Sequence, residues 1–128
     1  MEKRVTGIGG IFIKSSDPEG LKNWYRRHLG IPTDQYGWNF VWKDDRSGGG
    51  STQWGVFDAS STYFAPSQQY FMMNFRVEDL EKLLSVLKEE GVEVVGEMET
   101  FSYGKFGWVM DPDGNKIELW EPIDEALQ

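Results

Sequence analysis

The stretch FGWVMDPDGNKIELWEP, residues 106–122, gives the clearest indication of the fold. On both sides of its centre, apolar residues alternate with small or polar ones, which is the period of a β-strand. The centre reads Asp-Pro-Asp-Gly at residues 111–114, with proline at the second and glycine at the fourth position of a tight turn. The stretch therefore predicts a hairpin of two strands, at Lys105–Met110 and Asn115–Glu121.

The residues before this hairpin predict a strand, a helix and another strand. Tyr70–Val77 alternates its side chains at the period of a strand, and Asp79 or Glu78 then caps a helix. The leucines of that helix recur at helical spacing until Gly91 ends it. Val92–Met98 follows as a strand, so this half of the chain is a strand, a helix and three strands.

The first half of the chain repeats that order at an offset of about 62 residues. A strand at Thr6–Lys14 precedes a helix that begins at Asp17-Pro18, a favourable cap and first position, and ends at Gly30. Strands at Trp38–Trp42 and Ser51–Asp58 follow. Solenoid proteins have more repeats than two, and each of their repeats is shorter than about sixty residues. The repeat therefore indicates a duplicated module.

Two segments are predicted to be irregular. Residues 44–50 form a polar turn, and residues 59–69 form a linker with a short strand near Tyr63-Phe64. The 128 residues therefore predict a single domain of two modules, at about residues 6–64 and 70–122.

The composition excludes several classes of protein. The formal net charge of −8 argues against a nucleic-acid partner, because nucleic-acid affinity depends on clustered lysine and arginine. The chain has no cysteine, which excludes disulfides and thiolate metal ligands. Residues 1–14 contain only a short apolar run, so we expect a cytoplasmic protein with no membrane partner. Six Trp, five Tyr and eight Phe are enough to line a ligand pocket as well as a core.

Three motifs resemble those of the vicinal oxygen chelate superfamily, which includes glyoxalase I, bleomycin-resistance proteins, fosfomycin-resistance enzymes and extradiol dioxygenases. They are LKNWYRRHLGI at residues 21–31, FRVEDL at residues 75–80 and the hairpin at residues 106–122. The resemblance covers the chain from about Gly7 to Pro122. It implies an α+β fold in which two βαβββ modules form a cupped mixed sheet with the helices outside. It also implies a site in the concavity, often completed between two chains, and the exposed strand edges likewise favour a homodimer.

The resemblance also implies four strand positions at which metal-dependent members bind a divalent cation. In this chain they fall at Gly10, near Gln53 or Trp54, at Met72 and at Glu118. Glycine offers no side chain and a thioether is a poor ligand for such cations, so Glu118 alone is clearly retained. We therefore expect no metal and no cofactor. A divalent metal is expected only if these positions are misassigned.

Side-chain alternation places Glu118 on the concave face together with many aromatic residues. The predicted ligand-binding residues are Phe12, Trp38, Phe40, Trp54, Met72, Asn74, Arg76, Phe106, Trp108 and Trp120. Two interpretations fit them: an aromatic pocket with Glu118, Arg76 and Asn74 as its polar groups, or a solid core in which Glu118 pairs with Arg76. Glu118 is accordingly either a salt-bridged structural residue or a candidate catalytic base. The single histidine, His28, is expected to be structural or at the surface.

Three functions are compatible with these residues. The first is a metal-independent protein that binds or sequesters a small, planar or partly aromatic molecule, as bleomycin-resistance proteins do. The alternative is a metal-dependent enzyme of the lyase or dioxygenase type, similar to lactoylglutathione lyase. The third is a metal-free enzyme in which Glu118 removes a proton next to a carbonyl. The fold does not decide among them, so whether the protein is an enzyme stays open.

Overall fold

The computed structural model describes residues 4–42 and 49–124, so most of the turn predicted at residues 44–50 lies outside the described residues. The elements follow one another along the chain as β1 (Val5–Ser15), α1 (Pro18–Leu29), β2 (Trp38–Val41), β3 (Ser51–Asp58), β4 (Phe71–Val77), α2 (Leu80–Glu89), β5 (Val94–Phe101), β6 (Gly104–Met110) and β7 (Lys116–Pro122). The main predicted strands and both predicted helices are therefore confirmed, with small shifts at their ends.

Segment 59–69 turns back on itself instead of adding a strand. The backbone N–H of Ala65 donates to the Thr62 carbonyl, inside a turn at residues 63–66. Backbone groups that bond within a turn are not available to a neighbouring strand. The short strand predicted near Tyr63-Phe64 is therefore wrong.

All seven described strands belong to one mixed sheet in the order β2-β3-β1-β4-β7-β6-β5. The first strands of the two modules, β1 and β4, pair antiparallel at the centre and join the modules into one sheet. Within each module the first and last strands pair in parallel, β1 with β3 and β4 with β7. The second module is a complete βαβββ unit. In the first, the described chain before β2 makes an isolated bridge from Asp34 to Gly37 in place of a further strand.

Both helices pack on one side of the sheet, called the helix face below: α1 on β1 and β3, and α2 on β5, β6 and β7. Asp17 caps α1 by accepting a hydrogen bond from the Gly20 N–H, and Gly30 ends it in a left-handed conformation with a φ of 69°. Asp79 caps α2 by accepting from the Lys82 N–H. These caps are the ones that the sequence predicts, so local sequence fixes where both helices begin and where α1 ends.

Buried side chains form a cluster on each face of the sheet. The helix-face cluster consists of aliphatic residues from α2 and the strands, namely Val77, Leu80, Leu83, Val109 and Leu119. The cluster on the opposite side, called the concave face below, consists of Phe12, Phe64, Met72 and Trp108. Phe75 and Ile117 pack on the first cluster and Met72 belongs to the second, which confirms the predicted alternation along β4 and β7. No helix among the described residues is long and apolar enough to span a membrane.

Candidate functional site

Glu118 of β7 carries a buried carboxyl group on the concave face, where it is 2% exposed. Asn74 Nδ2 donates to Glu118 Oε1 at 2.6 Å, and Trp108 Nε1 donates to Oε2 at 2.8 Å. The Tyr63 hydroxyl also donates to Oε2. Asn74 and Trp108 lie directly opposite Glu118 on the neighbouring strands, which brings their side chains onto the same face. Donors from two strands and from segment 59–69 therefore converge on one carboxyl group.

Two opposing effects act on the protonation of Glu118. Burial raises the pKa of its carboxyl group, while the three hydrogen bonds and the charge of Lys116 lower it, and the net shift is upward. Asn74 Oδ1 is buried and has no hydrogen-bond partner in the described part of the chain. Exchanging the amide oxygen and nitrogen of Asn74 would let that oxygen accept the proton of a neutral Glu118. Asn74 is thus able to form a hydrogen bond with Glu118 whether its carboxyl group is charged or neutral.

Tyr63 closes the concave face over this carboxyl group. Its ring stacks on Phe57, with 5.3 Å between the ring centroids, and meets Trp108 edge-on at 6.1 Å. Burial, followed by the charge of Glu118, raises the pKa of the Tyr63 hydroxyl, so that it remains a donor. Tyr63 is still 38% exposed, so part of its ring reaches solvent. The sequence does not predict this role, because segment 59–69 has no periodicity from which a side-chain direction follows.

Lys116 of β7 holds Tyr63 in this position. Its Nζ donates to the Tyr63 carbonyl at 2.6 Å and lies 5.3 Å and 5.5 Å from the ring centroids of Tyr63 and Trp108. Burial lowers the pKa of this ammonium group, while the charges of Glu118 and Glu99 raise it. Two aromatic rings and one carbonyl therefore stabilise a cation that has no ion pair with a carboxylate among the described residues.

Arg76 does not pair with Glu118, so the ion pair of the solid-core interpretation is not formed. Its Nη2 instead donates to both carboxylate oxygens of Asp124, at 2.7 Å and 2.6 Å. Along β4, Arg76 lies opposite Trp120, one step beyond the position opposite Glu118. The guanidinium group is therefore displaced along the strand toward the end of β7.

The Arg76 guanidinium is enclosed by aromatic rings from both modules. Its central carbon lies 5.0 Å from the Trp42 ring centroid and 5.4 Å from that of Trp120. Its Nη1 also donates to the Ser51 carbonyl at 3.2 Å. These contacts give Arg76 a structural role that links β3 and β4 to the end of β7.

Most of the predicted site residues on the concave face are packed against one another. Phe12, Met72, Trp108 and Trp120 are all buried. Phe106 stacks on Trp120, with 5.8 Å between the ring centroids. Among the described residues, the centre of this face is therefore a packed core.

Trp38, Phe40 and Trp54 lie on the helix face, away from the buried carboxyl group. The Trp54 ring packs on Tyr25 of α1, with 4.6 Å between the ring centroids. Trp38 is directly opposite Trp54, and Phe40 lies two residues further along β2, so both share that face. This geometry separates these three residues from the predicted ligand-binding residues on the concave face. His28 is exposed and packs against Trp24, as expected of a surface residue.

The positions implied for a divalent cation do not fit one. Gly10 supplies no ligand, and a Cβ there would lie 2.8 Å from Phe12 Cζ. The Met72 thioether is buried in the apolar cluster, and the Gln53 amide donates to a neighbouring backbone carbonyl. Both Glu118 oxygens accept hydrogen bonds from N–H or O–H groups. In the part of the chain that the structure describes, no three His, Cys, Asp or Glu side chains are grouped to hold a metal ion.

An open cavity of about 310 Å³ lies at the side of the concave face, between segment 59–69 and β5. Its lining includes Tyr63, Gly96, Glu97, Glu99, Trp108 and Lys116. The cavity adjoins an irregularity in β5, where Val95 pairs with Trp108 but Glu99 already pairs with Phe106. Gly96 has a φ of 68° at this irregularity, and such a bulge bends its strand.

A second cavity, of about 320 Å³, lies near the start of α2. Its lining residues include no aromatic side chain and are remote from the buried carboxyl group, with Arg4, Glu78, Asp79 and Lys82 as its charged members. The cavity beside Tyr63 and Trp108 is therefore the better candidate site, although it is slightly smaller.

A family model described as the Glyoxalase/Bleomycin resistance protein/Dioxygenase superfamily matches residues 7–119 of the sequence. The chain belongs to this superfamily. The match spans the first two motifs and most of the third, so the resemblance that they indicate is confirmed. A search of curated proteins found no match.

Solved structures also match this superfamily member. A methylmalonyl-CoA epimerase from Mycobacterium tuberculosis has a TM-score of 0.68 and 20% identity, covering 99% of this chain and 95% of that chain. A Streptomyces coelicolor methylmalonyl-CoA epimerase variant in complex with 2-nitronate-propionyl-CoA has a TM-score of 0.67 and 17% identity, covering 93% and 99%. A Legionella pneumophila protein described as an NAD-dependent benzaldehyde dehydrogenase has a TM-score of 0.58 and 13% identity, covering 88% and 97%. At these identities the similarity establishes the fold of this superfamily member.

Proposed function

We propose that the protein binds a small molecule, without a metal ion, in the cavity beside Tyr63 and Trp108. The observation that carries this proposal is the cavity of about 310 Å³, whose described lining combines two aromatic rings with three charged side chains. Ligand sites are typically concave, with apolar and aromatic walls and a few polar groups that fix orientation. Trp108 is a predicted ligand-binding residue and lines this cavity. Tyr63 and Lys116 line it as well, although the sequence does not predict them as ligand-binding residues.

The residues at the positions implied for a divalent cation favour ligand binding without a metal ion. A catalytic zinc ion usually has three protein ligands, and magnesium or calcium prefers several oxygens. The chain offers glycine and a buried thioether at two of the implied positions, and Glu118 is committed to three hydrogen bonds. A lyase or dioxygenase that depends on a bound metal is therefore the less favoured alternative.

The burial of Glu118 favours a ligand-binding function over a proton-transfer reaction. A catalytic base must come within hydrogen-bond distance of the proton that it removes. Glu118 is 2% exposed and lies beneath Tyr63, so a substrate in the cavity meets the tyrosine first. The CoA esters named for the structural neighbours are polyanions, which the net charge of −8 and the acidic cavity wall disfavour.

A homodimer is part of this proposal. The sheet has two open edges, β2 and β5, and exposed strand edges are commonly covered by another chain. Ile8, Ile11 and Phe71 are also exposed on the helix face, where β1 and β4 pair at the centre of the sheet. Contact with a second copy would bury these apolar side chains, and two-fold dimers are the commonest oligomers.

The test combines metal analysis with ligand binding. Protein purified without chelators is expected to contain far less than one equivalent of zinc, nickel, iron or manganese by mass spectrometry. The same protein is expected to bind a planar apolar alcohol, 2-naphthylmethanol, saturably by calorimetry, and binding should persist after treatment with a chelator. One equivalent of tightly bound metal, with binding abolished by the chelator, would overturn metal independence. Failure of a broad panel of planar molecules to bind would overturn the proposed site.

A further inference from the structure

The charges around the cavity beside Trp108 favour a cationic ligand. Glu97 and Glu99 line this cavity together with Lys116, so the charged residues described in its lining sum to one negative charge. The whole chain carries a formal charge of −8, which adds a field of the same sign. A ligand that enters the cavity therefore meets a negative potential.

The two glutamates are free to bind a ligand. On β5 they alternate with Met98, which packs toward the helix face, so Glu97 and Glu99 share the concave side. Neither carboxylate takes part in a salt bridge or a side-chain hydrogen bond within the described residues. Glu99 also acts electrostatically on both Lys116 and Tyr63, which places its charge close to the aromatic wall.

The aromatic wall already accommodates a cation from the chain itself. The Lys116 ammonium group lies within 5.5 Å of the ring centroids of both Tyr63 and Trp108. Aromatic rings attract cations through the negative potential of their faces, and this attraction strengthens when water is excluded. The rings of this wall are therefore compatible with a positive charge beside them.

We propose that the cavity binds an organic cation, an ammonium group carried on a planar apolar body. This inference rests on the proposed small-molecule site and adds the charge class of its ligand. The apolar body packs against Tyr63 and Trp108, and the ammonium group is held by Glu97 and Glu99. A ligand carboxylate in the same place would face two carboxylates and only one cation.

The experiment compares three probes that share one ring system: 2-naphthylmethylammonium, 2-naphthylmethanol and 2-naphthoate. Isothermal titration calorimetry with the full chain is expected to give the order ammonium, alcohol, carboxylate, from tightest to weakest. Added salt should weaken the ammonium probe and leave the alcohol nearly unchanged, because salt screens exposed charges.

The acidic wall is tested with the double variant Glu97→Gln/Glu99→Gln. Its affinity for the ammonium probe should fall about fivefold, given the modest strength of exposed ion pairs, with the alcohol unaffected. The matched control is Glu81→Gln/Glu89→Gln, which removes the same charge from exposed positions on α2. Circular dichroism verifies that each variant is folded.

The outcomes separate this inference from the proposed function. If all three probes fail to bind, the small-molecule site is wrong and the inference is overturned with it. If the alcohol and the carboxylate bind as tightly as the ammonium probe, the site stands and the charge class is wrong. Tighter binding of the carboxylate probe than of the ammonium probe, with no effect of the Glu97→Gln/Glu99→Gln variant, would assign the site to anions instead.

Discussion

Replacing Trp108 with alanine is expected to destabilise the fold strongly, because its ring belongs to the concave-face core. Trp108 is 6% exposed and packs with Phe12, Phe64 and Met72. Truncation of a buried tryptophan to alanine costs about 3–5 kcal/mol of unfolding free energy. It also removes the donor to Glu118, and a hydrogen bond to a charged group contributes about 1.5–3 kcal/mol. Because domains are stable by only about 5–15 kcal/mol, this variant should lie close to the limit of folding.

Urea denaturation followed by circular dichroism measures this loss. Trp108→Phe keeps most of the ring volume and removes the indole N–H, so it should lose about 1–3 kcal/mol, mainly through the hydrogen bond. The control is Trp24→Ala on α1, whose ring is 50% exposed and contacts Tyr25 and His28, so it should cost about 1 kcal/mol. A Trp108→Ala protein as stable as the Trp24→Ala control would refute the assignment of Trp108 to the core.

Three further predictions concern the buried carboxyl group, the enclosed guanidinium and the assembly. Burial raises the Glu118 pKa above its ordinary value of 4.5, so the folded state retains the proton longer. As the pH rises above 4.5, the free energy of unfolding should therefore fall, by at most about 1.4 kcal/mol per pH unit. The fall should end once the pH passes the pKa that Glu118 has in the folded state. Glu118→Gln should lose this pH dependence, and identical pH profiles of denaturation for both proteins would contradict the upward shift. Asp124→Asn should cost about 1–2 kcal/mol, less than a fully buried pair, because the Asp124 side chain is 38% exposed while that of Arg76 is 7% exposed. Equal denaturation midpoints for Asp124→Asn and the unmodified chain would argue against this ion pair. Light scattering at micromolar concentration should give twice the chain mass of 14.7 kDa, whereas the monomer mass would exclude the homodimer.

Features encoded by neighbouring residues are predictable from this sequence. The Asp17 and Asp79 caps, the glycine that ends α1 and the alternation along β4 and β7 all agree with the structure. Each depends on backbone preferences or on a period of a few residues, which a single sequence displays directly. The family motifs then supply the order in which the elements assemble.

Features that depend on register or on irregular segments are not predictable in this way. Tyr63 lies 55 residues before Glu118 in the sequence, in a segment without periodicity. Trp54 shows a different difficulty, because alternation separates two faces of a strand without saying which one meets a helix. Arg76 is a further example, because its guanidinium group bonds to Asp124, two residues beyond the end of β7, and not to Glu118.

The antiparallel pairing of β1 with β4 has a consequence for the internal symmetry of this chain. These strands are equivalent in the two halves, and equivalent strands that pair antiparallel have the geometry of a two-fold axis. Lys14 and Arg76, which correspond in the repeat, each lie over two aromatic rings, so the pseudo-symmetry extends to side-chain chemistry. An approximate two-fold operation therefore relates the two halves, and each half supplies the strand that continues the sheet of the other. The candidate cavity departs from this symmetry, because its described lining lies in the second half and in the segment that precedes it.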